Sequence, residues 1–174
     1  IERHHLGRAA GTQGGMNNCH CNPRVVFGTA TAKDHIYNTP RAWYMYRYLD
    51  LDDAENHTPE SDDIPWCLEP EHAVTVEDVD FLLGSHFEGT PYDPYGTQGT
   101  EESRHRYRPI GINRTGHMVA MQIRPYAPAE SRSIMWVSYG SGAFTTSAPF
   151  YANVDDTPAY LRDTTPEVST DCLY

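Results

Sequence analysis

Thr75-Val76-Glu77-Asp78-Val79-Asp80-Phe81-Leu82-Leu83-Gly84-Ser85-His86-Phe87-Glu88-Gly89-Thr90-Pro91-Tyr92-Asp93-Pro94-Tyr95-Gly96 is the stretch from which the rest of the chain is read. Its first half predicts a helix: Thr75 caps, Asp78 stands three residues on, and Val76, Val79, Leu82 and Leu83 recur at helical spacing. Gly84 and Ser85 are stop signals. Its second half predicts an ordered loop, because two prolines and two glycines within residues 85–96 demand a fixed, irregular path. Set among them are His86, Glu88, Thr90, Tyr92 and Asp93, all able to bind or to transfer protons. A rigid polar loop following a helix is where sites concentrate.

Upstream, Thr39 as a cap and Pro40 at the first helical position open a second helix. It continues through Arg41-Ala42-Trp43-Tyr44-Met45-Tyr46-Arg47-Tyr48-Leu49, nearly apolar all round, which implies burial on more than one face. Residues 50–63 read as an acidic loop, without the oxygen-ligand alternation and turn glycine of a calcium site. Residues 1–24 read as loop.

Downstream, Met118–Arg124 places β-branched residues on one parity and Gln122 and Arg124 on the other, the mark of a strand. Ser133–Tyr139 is apolar on both parities, a strand expected to be buried on both faces. Residues 125–132 join them as a long hairpin. Gly140-Ser141-Gly142 ends the second strand, and Ala148-Pro149-Phe150-Tyr151 reads as ordered loop. Trp136, Tyr139 and Phe150 are expected in the core. With no repeat, linker or low-complexity tract, the chain reads as one mixed α/β domain or part of one.

Composition narrows the function. The 174 residues hold 13 Lys+Arg against 24 Asp+Glu, a net charge of −11. That charge repels a phosphate backbone and an anionic membrane surface, so neither nucleic acid nor membrane is an expected partner. No apolar run reaches the length of a membrane span. Of the four cysteines, Cys19, Cys21, Cys67 and Cys172, the first two are too closely spaced for a zinc knuckle; reduced thiols and no metal site are expected, against a metal held by Cys19, His20 and Cys21 with His4 or His5. The chain lacks a phosphate-binding glycine loop with its lysine, a His-Glu-x-x-His motif and a Gly-x-Ser-x-Gly elbow.

Several blocks carry a resemblance. Residues 37–45, Asp62-Asp63-Ile64-Pro65-Trp66, residues 75–79 and 85–96, Arg106–Arg114, Gln122-Ile123-Arg124, Met135–Ser141 and Pro149-Phe150-Tyr151 resemble, in order, segments of the C69 dipeptidase family. Consecutive blocks at compatible spacing make a far more specific signal than one short motif. On this reading residues 27–174 are the central part of a single dipeptidase-like domain, and residues 1–26 are a poorly matched, loop-rich segment. Both ends of the chain read as cuts through a longer polypeptide.

The resemblance implies the α+β class and an N-terminal-nucleophile hydrolase with a four-layer αββα sandwich, two antiparallel sheets between helix layers, of which this chain would hold a part without the N-terminal portion. It implies dipeptide substrates, a homo-oligomeric assembly and no metal or organic cofactor. A cysteine exposed by processing would attack the scissile carbonyl while its own α-amine handles the proton, giving a thioester. Ile1 cannot fill that role, so the nucleophile is expected outside this chain. His86, Thr90, Tyr92 and Asp93 would line the dipeptide pocket, or else merely shape the fold. Asn113 would be an oxyanion donor and Arg114 a carboxylate-binding or orienting group, against a turn-forming Asn with a structural Arg. Gln122 and Arg124 share a strand face and would meet polar groups of the substrate, against an Arg held in a buried ion pair. Asp34 and His35 are acid–base groups or part of a surface turn. Two other classes stay open: a non-catalytic scaffold of the same family, and an acylase of the same fold acting on non-peptide amides. Reduced-looking cysteines and family habit point to the cytoplasm.

Overall fold

The computed structural model describes residues 27–66 and 70–159. Helices come first: α1 (Asp34–Tyr37), α2 (Thr39–Leu49), α3 (Leu51–Ala54), α4 (Val76–Gly84) and α5 (Glu101–Arg104). Strands follow: β1 (His117–Ile123), β2 (Ser133–Tyr139) and β3 (Ala148–Tyr151), an antiparallel sheet in the order β1-β2-β3. The class is α+β. The four cysteines fall outside the described residues.

The expected box closes α4. Thr75 Oγ1 accepts from the Asp78 amide at 3.2 Å, and the Asp78 carboxylate accepts from the Thr75 amide at 2.7 Å. Glu77 and Asp78 also set negative charge against the positive end of the helix dipole. Asp78 does further work, since its Oδ1 accepts from the Tyr48 hydroxyl at 2.6 Å and so ties α4 to α2. That bond, followed by those from Thr75, holds the Asp78 carboxyl below the usual carboxylate range.

The start of α2 departs from expectation. Asn38 occupies the cap position and Thr39 lies inside the helix, with Pro40 in the first turn. The reason lies in α1: Asn38 Nδ2 donates to Asp34 Oδ1 at 2.6 Å, and its backbone keeps a helical ψ of −56°. The chain therefore passes from α1 into α2 without the extended residue that a capping Thr39 needs. Within the acidic stretch, residues 51–54 wind into α3 rather than remaining loop.

The core around α2 is aromatic. Trp43, Tyr44 and Tyr46 are buried with Ala54, Ile64, Leu82, Phe87 and Tyr107. The rings meet edge-on or tilted: Trp43 with Tyr92 at 6.0 Å, Tyr44 with Phe87 at 5.6 Å, Tyr92 with Tyr107 at 4.9 Å. These are the arrangements that the ring quadrupole favours.

The sheet corrects three expectations. Ala148–Tyr151 is a strand, β3, paired through Met135↔Phe150 and Val137↔Ala148. Its Pro149 is tolerated because β3 is an edge strand. β2 is not buried on both faces, since Met135 and Tyr139 are exposed while Ile134 and Ser138 are buried. Tyr139 is thus not a core residue. Registers Val119↔Val137 and Met121↔Met135 put Val119, Met121 and Ile123 on the same face as Met135. Val137 on that face is buried, but its β1 side is open: Met121 is 84% and Ile123 is 75% exposed. The opposite face carries Met118, Ile134 and Ser138 and packs on α4.

Two contacts dock α4 on the sheet. Asp80 Oδ2 accepts from Ser147 Oγ at 2.8 Å, and Ser147 Oγ lies 2.8 Å from Ser138 Oγ on β2. At the end of the helix, Gly84 meets two other glycines. A methyl group on Gly111 would come within 2.1 Å of the Gly84 carbonyl oxygen, and one on Gly84 would come within 2.9 Å of the Gly142 carbonyl carbon. Gly84 is required for this close approach rather than as the left-handed stop its position suggests.

Candidate functional site

The loop leaving α4 is pinned at its first residue. Ser85 is fully buried, its hydroxyl donates to the Leu82 carbonyl at 3.0 Å, and its own carbonyl accepts from the Gly111 amide at 2.7 Å. Phe87 then takes a φ of 72°, an uncommon left-handed conformation for a residue with a side chain. Burial of its ring against Tyr44 holds the loop there. The consequence is that the side chains on either side of Phe87, His86 and Glu88, come to the same side of the loop.

His86 is the centre of the cluster. Its Nδ1 lies 2.7 Å from Asp93 Oδ1 and its Nε2 lies 3.3 Å from Glu88 Oε1. Glu88 Oε2 accepts from the His86 amide at 2.9 Å and from the Tyr44 hydroxyl at 3.2 Å, and the Glu88 carbonyl accepts from the same hydroxyl at 3.1 Å. The Asp93 side chain is 9% exposed and that of His86 is 22% exposed, so a buried carboxylate orients an imidazole that still reaches solvent. An imidazole fixed by a buried carboxylate is the arrangement that sites use to set ring orientation. Burial, and then the Glu88 charge, raise the Tyr44 hydroxyl well above its ordinary value, so it stays a donor.

The other expected residues divide by location. Thr90 is buried, donates to the Phe87 carbonyl at 2.8 Å and accepts from the Tyr92 amide at 3.1 Å, so it builds the turn. Tyr92 packs between Trp43 and Tyr107. Asn113 and Arg114 are exposed in a turn two residues beyond Gly111, and the Gly111–Ser85 bond carries that turn to the base of the His86 loop. Gln122 and Arg124 lie in the hairpin. Gln122 Oε1 accepts from Trp136 Nε1 at 3.3 Å, and Arg124 Nη2 donates to the Ser131 carbonyl.

Asp34 accepts from Thr29, Thr31 and Asn38, bonds that hold its carboxyl far below the usual range. It organises a surface turn, as does His35, whose Nε2 lies 3.0 Å from Asp62 Oδ1. Glu88, one of the polar loop residues named from the sequence, is the second carboxylate on the ring, whereas Tyr44 and Tyr95 join the cluster although the sequence did not single them out for it. Among the described residues no group of three or more His, Cys, Asp or Glu side chains is placed to hold a metal, and no helix is long and apolar enough to cross a membrane.

Comparison with known proteins places this geometry in context. Residues 1–174 match the family described as Peptidase family C69. The chain is 51% identical to a dipeptidase of Bifidobacterium longum (strain NCC 2705) over 181 residues, which cover 100% of this chain and 33% of that protein. It is 45% identical to a probable dipeptidase A of Streptococcus pyogenes serotype M18, over 89% of this chain and 32% of that protein. With dipeptidase A of Lactobacillus helveticus the identity is 40%, over 88% of this chain and 32% of that protein. The chain thus spans about a third of the length of these relatives. The oriented His86 and the left-handed Phe87 beside it therefore sit in a chain that, over its whole length, belongs to peptidase family C69.

Proposed function

We propose that this chain is part of a cysteine dipeptidase that hydrolyses dipeptides through a thioester acyl-enzyme. The observation that carries the reading is 51% identity to a dipeptidase over the entire chain. The nucleophile is an N-terminal cysteine of the complete polypeptide, outside these 174 residues, which are inert by themselves. Its thiolate attacks the scissile carbonyl, its α-amine takes and returns the proton, the C-terminal amino acid leaves, and water releases the other. His86 and Asp93, with Thr90 and Tyr92 beneath them, form a wall of the dipeptide pocket. Asn113 donates to the oxyanion and Arg114 binds the substrate carboxylate; Gln122 and Arg124 extend the polar surface. The enzyme is cytoplasmic and homo-oligomeric and uses no metal or organic cofactor.

The open face of the sheet supports the four-layer reading. Met121 and Ile123 stand almost fully exposed on a sheet whose other face is covered by α4. A sheet with two apolar faces is stable when both are packed. The second sheet of the sandwich lies against that face, contributed by the remainder of the polypeptide.

The test uses the complete polypeptide, the 174-residue chain and a set of dipeptides, with release of free amino acids as the readout. The complete polypeptide should cleave dipeptides, lose that activity on thiol alkylation and keep it in a chelator. The 174-residue chain should do nothing. Hydrolysis that survives alkylation rules out the thiol mechanism, and preference for acyl amides over dipeptides replaces the dipeptidase with an acylase. Alanine at Asn113 should lower kcat/KM by about a hundredfold, as loss of an oxyanion donor does, and alanine at Arg114 should lower it through lost binding of the substrate carboxylate; a change under about threefold in both removes them from the site.

A further inference from the structure

We infer that Tyr95 is a specificity-determining residue, its exposed ring being the surface on which an apolar side chain of the dipeptide packs; this rests on the dipeptidase reading above. The loop contains two tyrosines that differ in kind. Tyr92 is half-buried, its ring wedged against Trp43 and Tyr107, and it serves the core. Tyr95 is 78% exposed, yet its backbone is fixed. Its amide donates at 2.9 Å to Asp93 Oδ1, the oxygen that also meets His86 Nδ1. One carboxylate oxygen therefore sets the position of both the imidazole and the tyrosine.

The next residue is held as well. Arg104 Nη1 on α5 donates to the Gly96 carbonyl at 3.1 Å, and a side chain on Gly96 would run into Asp93 at 3.0 Å. The Tyr95 ring meets the His86 ring edge-on, centroids 4.9 Å apart at 85°, and the rest of its area faces solvent. A large ring on an immobilised backbone, edge-on to an oriented imidazole, loses little conformational freedom when it binds an apolar group. It is thus matched to the side chain of a dipeptide whose backbone lies at His86.

The experiment measures kcat/KM in the complete polypeptide for wild type, Tyr95→Ala, Tyr95→Leu and Tyr95→Phe. The panel starts from alanyl-alanine and replaces either residue by leucine or phenylalanine. Tyr95→Ala should lower kcat/KM for the leucine and phenylalanine dipeptides about fivefold more than for alanyl-alanine, the size of one aromatic contact. Tyr95→Phe should keep the wild-type ranking, and Tyr95→Leu should lower kcat/KM for the phenylalanine dipeptides more than for the leucine dipeptides. Thermal midpoints identify any variant that fails to fold, in which case the two milder substitutions decide. A parallel fall across the panel in Tyr95→Ala, or no change in any of its kcat/KM values, overturns the inference while leaving the dipeptidase reading intact. A wild-type polypeptide that cleaves none of the dipeptides overturns the reading itself.

Discussion

His86 Nδ1 lies 2.7 Å from Asp93 Oδ1, and the two residues are joined by a loop that reverses direction at a left-handed Phe87. The bond closes the loop on itself and leaves the imidazole partly open to solvent. Asp93→Ala removes the oxygen that meets both the ring and the Tyr95 amide, and leaves both groups without their partner. The expected result is a loss of about 1–3 kcal/mol in denaturant-measured stability, the cost of an unpaired buried polar group. On the proposal that His86 lines the dipeptide pocket, kcat/KM of the complete polypeptide should also fall about 10- to 100-fold, the range seen when a metal-bound imidazole loses its orienting partner. Unchanged stability together with unchanged turnover would show that the bond orients nothing of consequence.

The open sheet face yields a prediction about the complete polypeptide. If a second sheet packs on Met121, the change Met121→Asp buries an unpaired carboxylate and should lower stability by more than about 2 kcal/mol. If the face is free, the same change should stay within about 0.5 kcal/mol, as exposed substitutions do. Urea denaturation of the two proteins separates these outcomes.

The close approach of α4 and residue 111 is tested by a single methyl group. Gly111→Ala places Cβ within 2.1 Å of a backbone carbonyl that cannot turn aside. The change should cost about 1–3 kcal/mol or more as overpacking, and should displace the Ser85 carbonyl at the foot of the His86 loop. Gly116→Ala, where nothing lies within 4 Å of the added carbon, is the matched control and should be near neutral. Thermal midpoints that fall equally in both variants would refute the contact.

A pH dependence follows from Glu60. Its Oε1 accepts from the Tyr107 hydroxyl at 2.6 Å and from Arg106 Nη2 at 2.6 Å. The Tyr107 bond first, and then Arg106, hold the Glu60 carboxyl below its ordinary value. The folded value is lower than the unfolded one, so the contribution is complete above the unfolded value and disappears as pH falls through the folded one. Wild type should therefore exceed Glu60→Gln in stability near neutral pH, with the gap narrowing as pH drops below the ordinary glutamate value of 4.5. The side chain is 38% exposed, so the gap is small. A gap that stays constant down to strongly acid pH would show that the ionised form of Glu60 has no preferred partner.

Short-range regularities were legible in the sequence. The box at Thr75 and Asp78, the span of α4 and the antiparallel pairing of β1 with β2 depend on covalent neighbours and on spacing, which a linear sequence states directly. His86 and Asp93 were legible as candidates because both sit in one proline-bounded loop. The blocks at 37–45, 85–96 and beyond also carried the family resemblance.

Tertiary structure decided the rest. Tyr44 reaches Glu88 across 44 residues, and no local pattern records that pairing. Whether α1 runs into α2, leaving Thr39 no cap to make, depends on where Asn38 turns its side chain. β3, with a proline and only four residues, becomes a strand because β2 offers it an edge. Gly84, Gly111 and Gly142 look like ordinary turn glycines until three distant segments pack at one point. Propensity and periodicity act between near neighbours, whereas burial, close approach and the orientation of a site side chain are properties of the packed chain as a whole.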